Sequence, residues 1–121
     1  MSSEIRLARI EDLNNIVSLL NKVTIDLHTK GILQWNYPWN SDDLIEDIIN
    51  NYVYLLIIDD LAVGTFSIKD IGEFNFINTE PDNKYLYRIA ILPEFQGKGL
   101  GLKIVKYSIE YVKKITSVAL M

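Results

Sequence analysis

One stretch constrains this chain more than any other: Gln96-Gly97-Lys98-Gly99-Leu100-Gly101, set between a strand-like run and a helix-like one. The run before it, Lys84 to Leu92, is rich in aromatic and β-branched residues and is closed by Pro93. The stretch after it predicts a helix whose inner face is Ile104, Val105, Ser108, Ile109 and Val112, with Lys113 and Lys114 at its negative C-terminal end. Glycine permits positive φ and close approach of a ligand to the backbone. The first turn of a helix leaves its N–H groups unpaired and carries roughly half a positive charge. Glycines leading into a helix start therefore make an anion cradle suited to phosphate or pyrophosphate, with Lys98 adding a mobile positive charge at its rim.

Two familiar phosphate motifs fail on spacing. A Walker A loop needs Lys and then Ser or Thr after its last glycine, and Gly101 is followed by Leu102. A dinucleotide fingerprint needs its third glycine one position later than Gly101, and an acidic residue about 20 positions on, where only chain-end residues such as Val118 and Met121 stand.

The rest of the chain supplies a sheet and its cover. Ile5 and Leu7 alternate with Arg6 and Ala8 as a short half-exposed strand. Leu13, Ile16, Val17, Leu20, Val23 and Leu27 then recur at helical spacing, predicting a helix from about Glu11 to Thr29 that Gly31 stops. Asn40 or Ser41 caps a second, shorter helix with Leu44, Ile45, Ile48 and Ile49 on one face. Tyr52 to Ile58 and Leu61 to Lys69 read as a hairpin around Asp59-Asp60, with Gly64 marking a bulge or a close backbone approach. Asp70 to Asn83 reads as a polar loop and Thr116 to Met121 as a final strand. This order predicts one domain over residues 1–121: an α/β fold with a mixed sheet flanked by helices, its last strand–turn–helix–strand unit parallel.

Composition removes several functions. Sixteen acidic residues against twelve basic ones, a net charge of -4, disfavour nucleic acid and a polybasic membrane anchor. The longest apolar stretch, Tyr52 to Ile58, falls short of the roughly 20 residues that cross a bilayer. The N-terminus lacks a signal pattern, so a cytoplasmic protein is expected. Zero cysteines exclude disulfides, thiolate metal sites and a Cys nucleophile, and the single His28 leaves no histidine cluster, so no metal is expected. His28 reads as a helix-surface residue, Arg88 as one facing solvent or paired with a carboxylate. Trp35, Tyr37 and Trp39 either line a pocket or pack their loop onto the sheet.

Gln96-x-x-Gly99-x-Gly101 directly after Ile89-Ala90-Ile91-Leu92-Pro93-Glu94-Phe95 resembles the acyl-CoA motif of the GNAT family, the Gcn5-related N-acetyltransferases. Arg9-Ile10-Glu11-Asp12, Gln34-Trp35 and Ala62-Val63-Gly64 follow in the family's order, so the resemblance spans nearly the whole chain. It implies a mostly antiparallel, acyl-CoA N-acyltransferase-like sheet and an acetyl-CoA-dependent N-acetyltransferase. The acetyl group would pass directly to a primary amine of a small molecule or peptide. It also implies that Ile89, Ala90 and Ile91 pair with the pantetheine arm and that the Ile91 N–H polarises the thioester carbonyl. Gln96, Gly97, Lys98, Gly99, Leu100, Gly101 and Leu102 match the pyrophosphate loop, and Trp35, Tyr37 and Tyr85 fall on the acceptor side. The amine must shed a proton before attack and the developing oxyanion needs a fixed donor.

The chain also departs from the family. Members usually continue into another helix and strand that carry a Tyr acid; this sequence stops at Met121 and is short at that end. Tyr85 and Tyr87 stand where some members place a Glu base, and Glu73, Glu80 and Asp82 are the nearest carboxylates, so general acid and base stay unassigned. An alternative is thus a catalytically impaired acyl-CoA-binding or interaction module of the same fold. The apolar final strand, Ser117 to Met121, stands near the sheet edge and calls for pairing with another copy or another polypeptide; a homodimer through this edge is expected.

Overall fold

The computed structural model describes residues 3–70, 84–112 and 115–118. Among the described residues the sheet has five strands in sequential order: β1 (Ser3–Leu7), β2 (Val53–Ile58), β3 (Leu61–Asp70), β4 (Lys84–Ile91) and β5 (Ile115–Val118). The first four pair antiparallel and β5 joins β4 in parallel, so the sheet is mixed and mostly antiparallel. Two helices, α1 (Leu13–Thr29) and α2 (Ser41–Ile49), precede β2, and α3 (Leu100–Tyr107) links β4 to β5. The loop residues Glu73, Glu80 and Asp82 lie outside the described residues, as do residues 119–121 of the Ser117–Met121 stretch expected as a homodimer edge.

Local chemistry sets each boundary. The Asn40 side chain accepts from the Asp42 N–H and caps α2, whose first turn carries Asp42 and Asp43 at the positive end of the helix. Asp59 and Asp60 both adopt positive φ, as a two-residue hairpin turn that matches the strand twist requires. The N-terminus of α1 is drawn into a 3-10 turn at Ile10–Asp12, and the Asp12 carboxylate accepts from the Arg9 N–H.

Both faces of the sheet are covered. Tyr54 stacks on Phe66 at 5.2 Å, and Tyr107 of α3 meets both edge-on at 6.1 and 6.2 Å. Side chains alternate along a strand, so Ser67 and its partner Tyr87 face the other way, toward α2. Core side chains from both layers reach full burial: Ile16, Leu20 and Val23 of α1, Leu55, Leu56, Val63 and Phe66 of the hairpin, Leu86 of β4 and Ile104 of α3.

Two helix faces are narrower than their spacing predicts. Ile49 is 68% exposed, leaving Leu44 and Ile48 as the buried residues of α2. Ile109, expected on the inner face, is 55% exposed: the buried residues Leu100, Ile104 and Ser108 form a stripe at four-residue spacing, and Ile109 lies one residue, about 100°, round the helix from it. From Ser108 to Val112 the winding widens to a single π turn. Ser108 itself is buried and donates from Oγ to the Ile104 carbonyl at 2.8 Å.

Candidate functional site

The glycine turn sits where β4 hands over to α3. A short 3-10 turn, Pro93–Phe95, ends β4, and Gly97 and Gly99 follow with φ of +78° and +76°. Gly99 is the N-cap of α3, and a side chain placed on Gly97 or Gly99 would meet nothing within 4 Å. The two residues that need to be glycine thus border open space, while Gly101 packs 4.0 Å from Ile91 Cδ1 by the same measure. Leu100 is buried and anchors the helix start; Leu102 is 59% exposed, and Lys98 lies over the Phe95 ring at 5.9 Å.

A backbone edge runs up to this turn. Ile91 stands opposite Gly64, while the next residue, Leu92, donates its N–H to Val63 O at 2.8 Å. Successive residues of an antiparallel strand direct their polar groups to opposite sides, so the Ile91 N–H and C=O point away from β3. The Ile91 carbonyl accepts from Gln96 Nε2 at 2.9 Å. On that side, the described pairs with β5 are confined to Lys84, Tyr85 and Leu86, and none involves Ile89, Ala90 or Ile91.

The edge has its phase because β4 bulges. Thr65 pairs with Ala90 and Ser67 with Tyr87, so Phe66 alone stands against both Arg88 and Ile89. Arg88 takes up the extra residue with φ of +52°. The phase shift turns Ile91 toward the α3 face, and Gly64 lets the strands close: a side chain there would come within 3.2 Å of Ala90 O. Apolar spacing does not foresee the bulge, yet the sequence carries a sign of it. Strict alternation sends Leu86, Arg88 and Ala90 to one face, a charge between two residues that are both fully buried.

The Arg88 guanidinium pairs with Asp47 Oδ2 at 2.9 Å and lies 5.2 Å from the Trp39 ring centre. Of the two readings of the aromatic loop, packing holds for Trp39. Its Nε1–H donates to Thr24 Oγ1 at 2.8 Å, its backbone N–H donates to Asn21 Oδ1, and its ring meets Trp35 edge-on at 5.4 Å. Tyr37 is 53% exposed. His28 is half-buried rather than on the surface, its Nε2 2.7 Å from Trp35 O. The backbone of Tyr85 lies in β4, with its side chain outside the described part. The Tyr87 phenol is pushed up to about 12, chiefly by burial and further by Asp47, with Arg88 and a hydrogen bond to Ser67 pulling the other way.

A groove of about 600 Å³ opens beside Gly99, between α3 and β1, lined by Ser3, Ile5, Leu102, Lys103 and Lys106 among others. Lys103 Nζ donates to Ser3 Oγ across it. No sequence spacing joins residues so far apart. Among the described residues no cluster of three His, Cys, Asp or Glu is placed to hold a metal ion, and no helix is long and apolar enough to cross a membrane.

A mostly antiparallel sheet flanked by helices, its fourth strand bulged and ending in a left-handed glycine turn at a helix start, defines an acyl-CoA N-acyltransferase-like fold. Residues 20–120 match the acetyltransferase (GNAT) family, and the chain belongs to that family. It is similar to a GNAT-family acetyltransferase from Streptococcus agalactiae 2603, with 26% identity and a TM-score of 0.74 over 89% of this chain and 69% of that one. It also shares its fold with the PaiA N-acetyltransferase of Thermoplasma acidophilum in complex with coenzyme A: 18% identity, TM-score 0.71, covering 94% of this chain and 74% of that one. A third similar structure is the loading GNATL domain of CurA from Lyngbya majuscula, with 20% identity, TM-score 0.68 and coverage of 98% and 62%. The chain therefore spans between 62% and 74% of the length of these three structures. No curated protein matches the sequence.

Proposed function

We propose that this chain binds acetyl-CoA and transfers its acetyl group directly to a primary amine. The observation that carries the reading is the join of two features. The outward-directed backbone of Ile91 near the end of β4 leads straight into Gly97 and Gly99, whose left-handed backbone borders open space at the start of α3. Family membership and the coenzyme A complex of the Thermoplasma acidophilum structure support it.

Acetyl-CoA, when bound, supplies an activated acyl group. The chain's own part is to grip and to orient. The N–H groups from Gly97 to Leu102 hold the diphosphate with help from the positive end of α3, and Lys98 contributes charge at the rim. Ile89 and Ile91 pair with the extended pantetheine as an added strand, and the Ile91 N–H donates to the thioester carbonyl. Gln96 fixes that N–H indirectly by holding the carbonyl of the same residue. Trp35 and Tyr37, with Tyr85 on the strand, flank the amine of a small molecule or peptide.

Two measurements test the reading. A ligand bound by the native state alone raises the melting temperature, by about 2.7 kcal/mol of stability at a hundredfold excess over its dissociation constant. Acetyl-CoA and CoA should both do so, and release of free thiol with a panel of primary amines should follow. No shift with either coenzyme overturns the proposal; a shift without thiol release leaves a coenzyme binder and removes the transferase.

A further inference from the structure

The Arg88 side chain takes no part in the coenzyme grip described above, yet it joins that grip to the aromatic loop. Its backbone holds the bulge in the left-handed region, which residues bearing a Cβ disfavour. Its guanidinium is 21% exposed and is held by the Asp47 carboxylate of α2, 15% exposed, at 2.9 Å. The same group lies over the Trp39 ring, which is fixed to α1 by the Thr24 hydroxyl and touches Trp35 edge-on. An unbroken run of contacts therefore leads from the β4 edge, three residues before Ile91, to the loop that carries Trp35, Tyr37 and Trp39.

We propose that Arg88 is a positioning residue that makes the β4 edge and the loop at residues 35–39 shift together, so that coenzyme seated on the edge is felt in the loop. The inference rests on the coenzyme reading above, and its test separates the two. Both tryptophans of the chain, Trp35 and Trp39, lie in this loop and neither lies on β4, so indole emission reports the loop alone. CoA is the probe. Heat of binding registers occupancy of the edge, and indole emission, excited beyond the adenine band, registers the loop.

In the wild-type protein CoA should release heat and change the emission together. Arg88→Gly removes the guanidinium while glycine keeps the positive φ of the bulge. Asp47→Asn removes the charge that holds it. Both variants should still bind CoA, about tenfold more weakly, with the emission change lost. Arg88→Lys keeps the charge without the planar group that lies on Trp39, and should show a reduced change. Wild-type binding with no emission change overturns the inference while the coenzyme reading stands. So does an emission change that survives in Arg88→Gly, since Trp39 would then respond without Arg88. Wild type that binds no CoA overturns both. If Asp47→Asn fails to fold, Arg88→Gly decides.

Discussion

Gln96 Nε2 donates to the carbonyl oxygen of Ile91 at 2.9 Å, tying the turn back to the strand edge it follows. The bond satisfies an acceptor that β3 does not reach, and it fixes the peptide plane next to the outward Ile91 N–H. Gln96→Ala should cost about 1 kcal/mol of stability, the usual net worth of one such bond. Gln96→Glu should cost more, because its carboxylate would face the Ile91 carbonyl acceptor to acceptor. Both should weaken CoA binding several-fold, and calorimetry alongside thermal melting checks the pair. Full CoA affinity in Gln96→Glu would remove Gln96 from the site.

Gly99 tests the cradle without disturbing the core. Its φ of +76° disfavours any residue with a Cβ, but nothing lies within 4 Å to clash with one. The penalty is therefore backbone strain alone, about 1 kcal/mol for Ala and less for Asn, which tolerates this conformation. Gly99→Glu should melt within a few degrees of Gly99→Ala and lose CoA affinity by more than tenfold, through bulk and charge at the diphosphate. Equal CoA affinity in the Glu and Ala variants would place the coenzyme elsewhere.

Gly64 presents the opposite case, a clash without strain. An alanine methyl there would sit 3.2 Å from the Ala90 carbonyl oxygen and 3.4 Å from Leu56 Cβ. A carbonyl in a strand ladder cannot swing aside as a side chain does. Gly64→Ala should cost about 1–3 kcal/mol and push β4 from β3 next to the coenzyme edge. Chemical denaturation measures the loss, and a change below about 0.5 kcal/mol would show that the two strands have slack.

Asp12 gives stability an acid limb. Both of its oxygens accept from the Arg6 guanidinium, at 2.9 and 3.0 Å, and one also accepts from the Arg9 N–H at 2.8 Å. The Arg6 hydrogen bonds hold the carboxyl below its ordinary 3.8, against a smaller opposing effect of burial. In the unfolded chain the group takes up its proton at the ordinary value, so its contribution is complete above that pH and disappears as pH falls through the lower folded value. The gap in melting temperature between wild type and Asp12→Asn should be constant from neutral pH to about 5 and should narrow below about 4. A gap that widens toward acid contradicts this sign.

The elements were legible because their signals are local. The spacing of Ile16, Leu20, Val23 and Leu27, the cap at Asn40 and the turn at Asp59-Asp60 each rest on neighbours in sequence, and each appears in the fold within a few residues of its expected place. The glycine turn was legible for the same reason: left-handed backbone before a helix start is a demand made by a few consecutive residues. What stayed hidden depends on pairs distant in the chain. The Arg88 bulge exists relative to Phe66, its guanidinium is satisfied by Asp47 across 41 positions, and the groove at Gly99 needs Ser3 beside Lys103. Ile109 departs from its expected face for another reason. The buried stripe through Leu100, Ile104 and Ser108 is narrow, and an apolar residue beside it reads as part of the face although it packs on nothing there.

Thr24 and Trp39 offer a direct measure of how firmly the aromatic loop is anchored. The Thr24 hydroxyl is fully buried; it donates to the Leu20 carbonyl at 2.7 Å and accepts from Trp39 Nε1 at 2.8 Å. Thr24→Val keeps the volume and removes the acceptor, leaving an indole N–H without its partner, at a cost of about 1–3 kcal/mol. Trp39→Phe removes the donor and part of the ring area against Trp35 and Arg88. Once the indole is absent there is no donor to strand, so Thr24→Val should cost markedly less in the Trp39→Phe background. A double-mutant cycle by chemical denaturation should therefore return a coupling of about 1 kcal/mol between the two positions. Additive losses would mean that the indole finds another acceptor, and that α1 does not hold the loop in place through this bond.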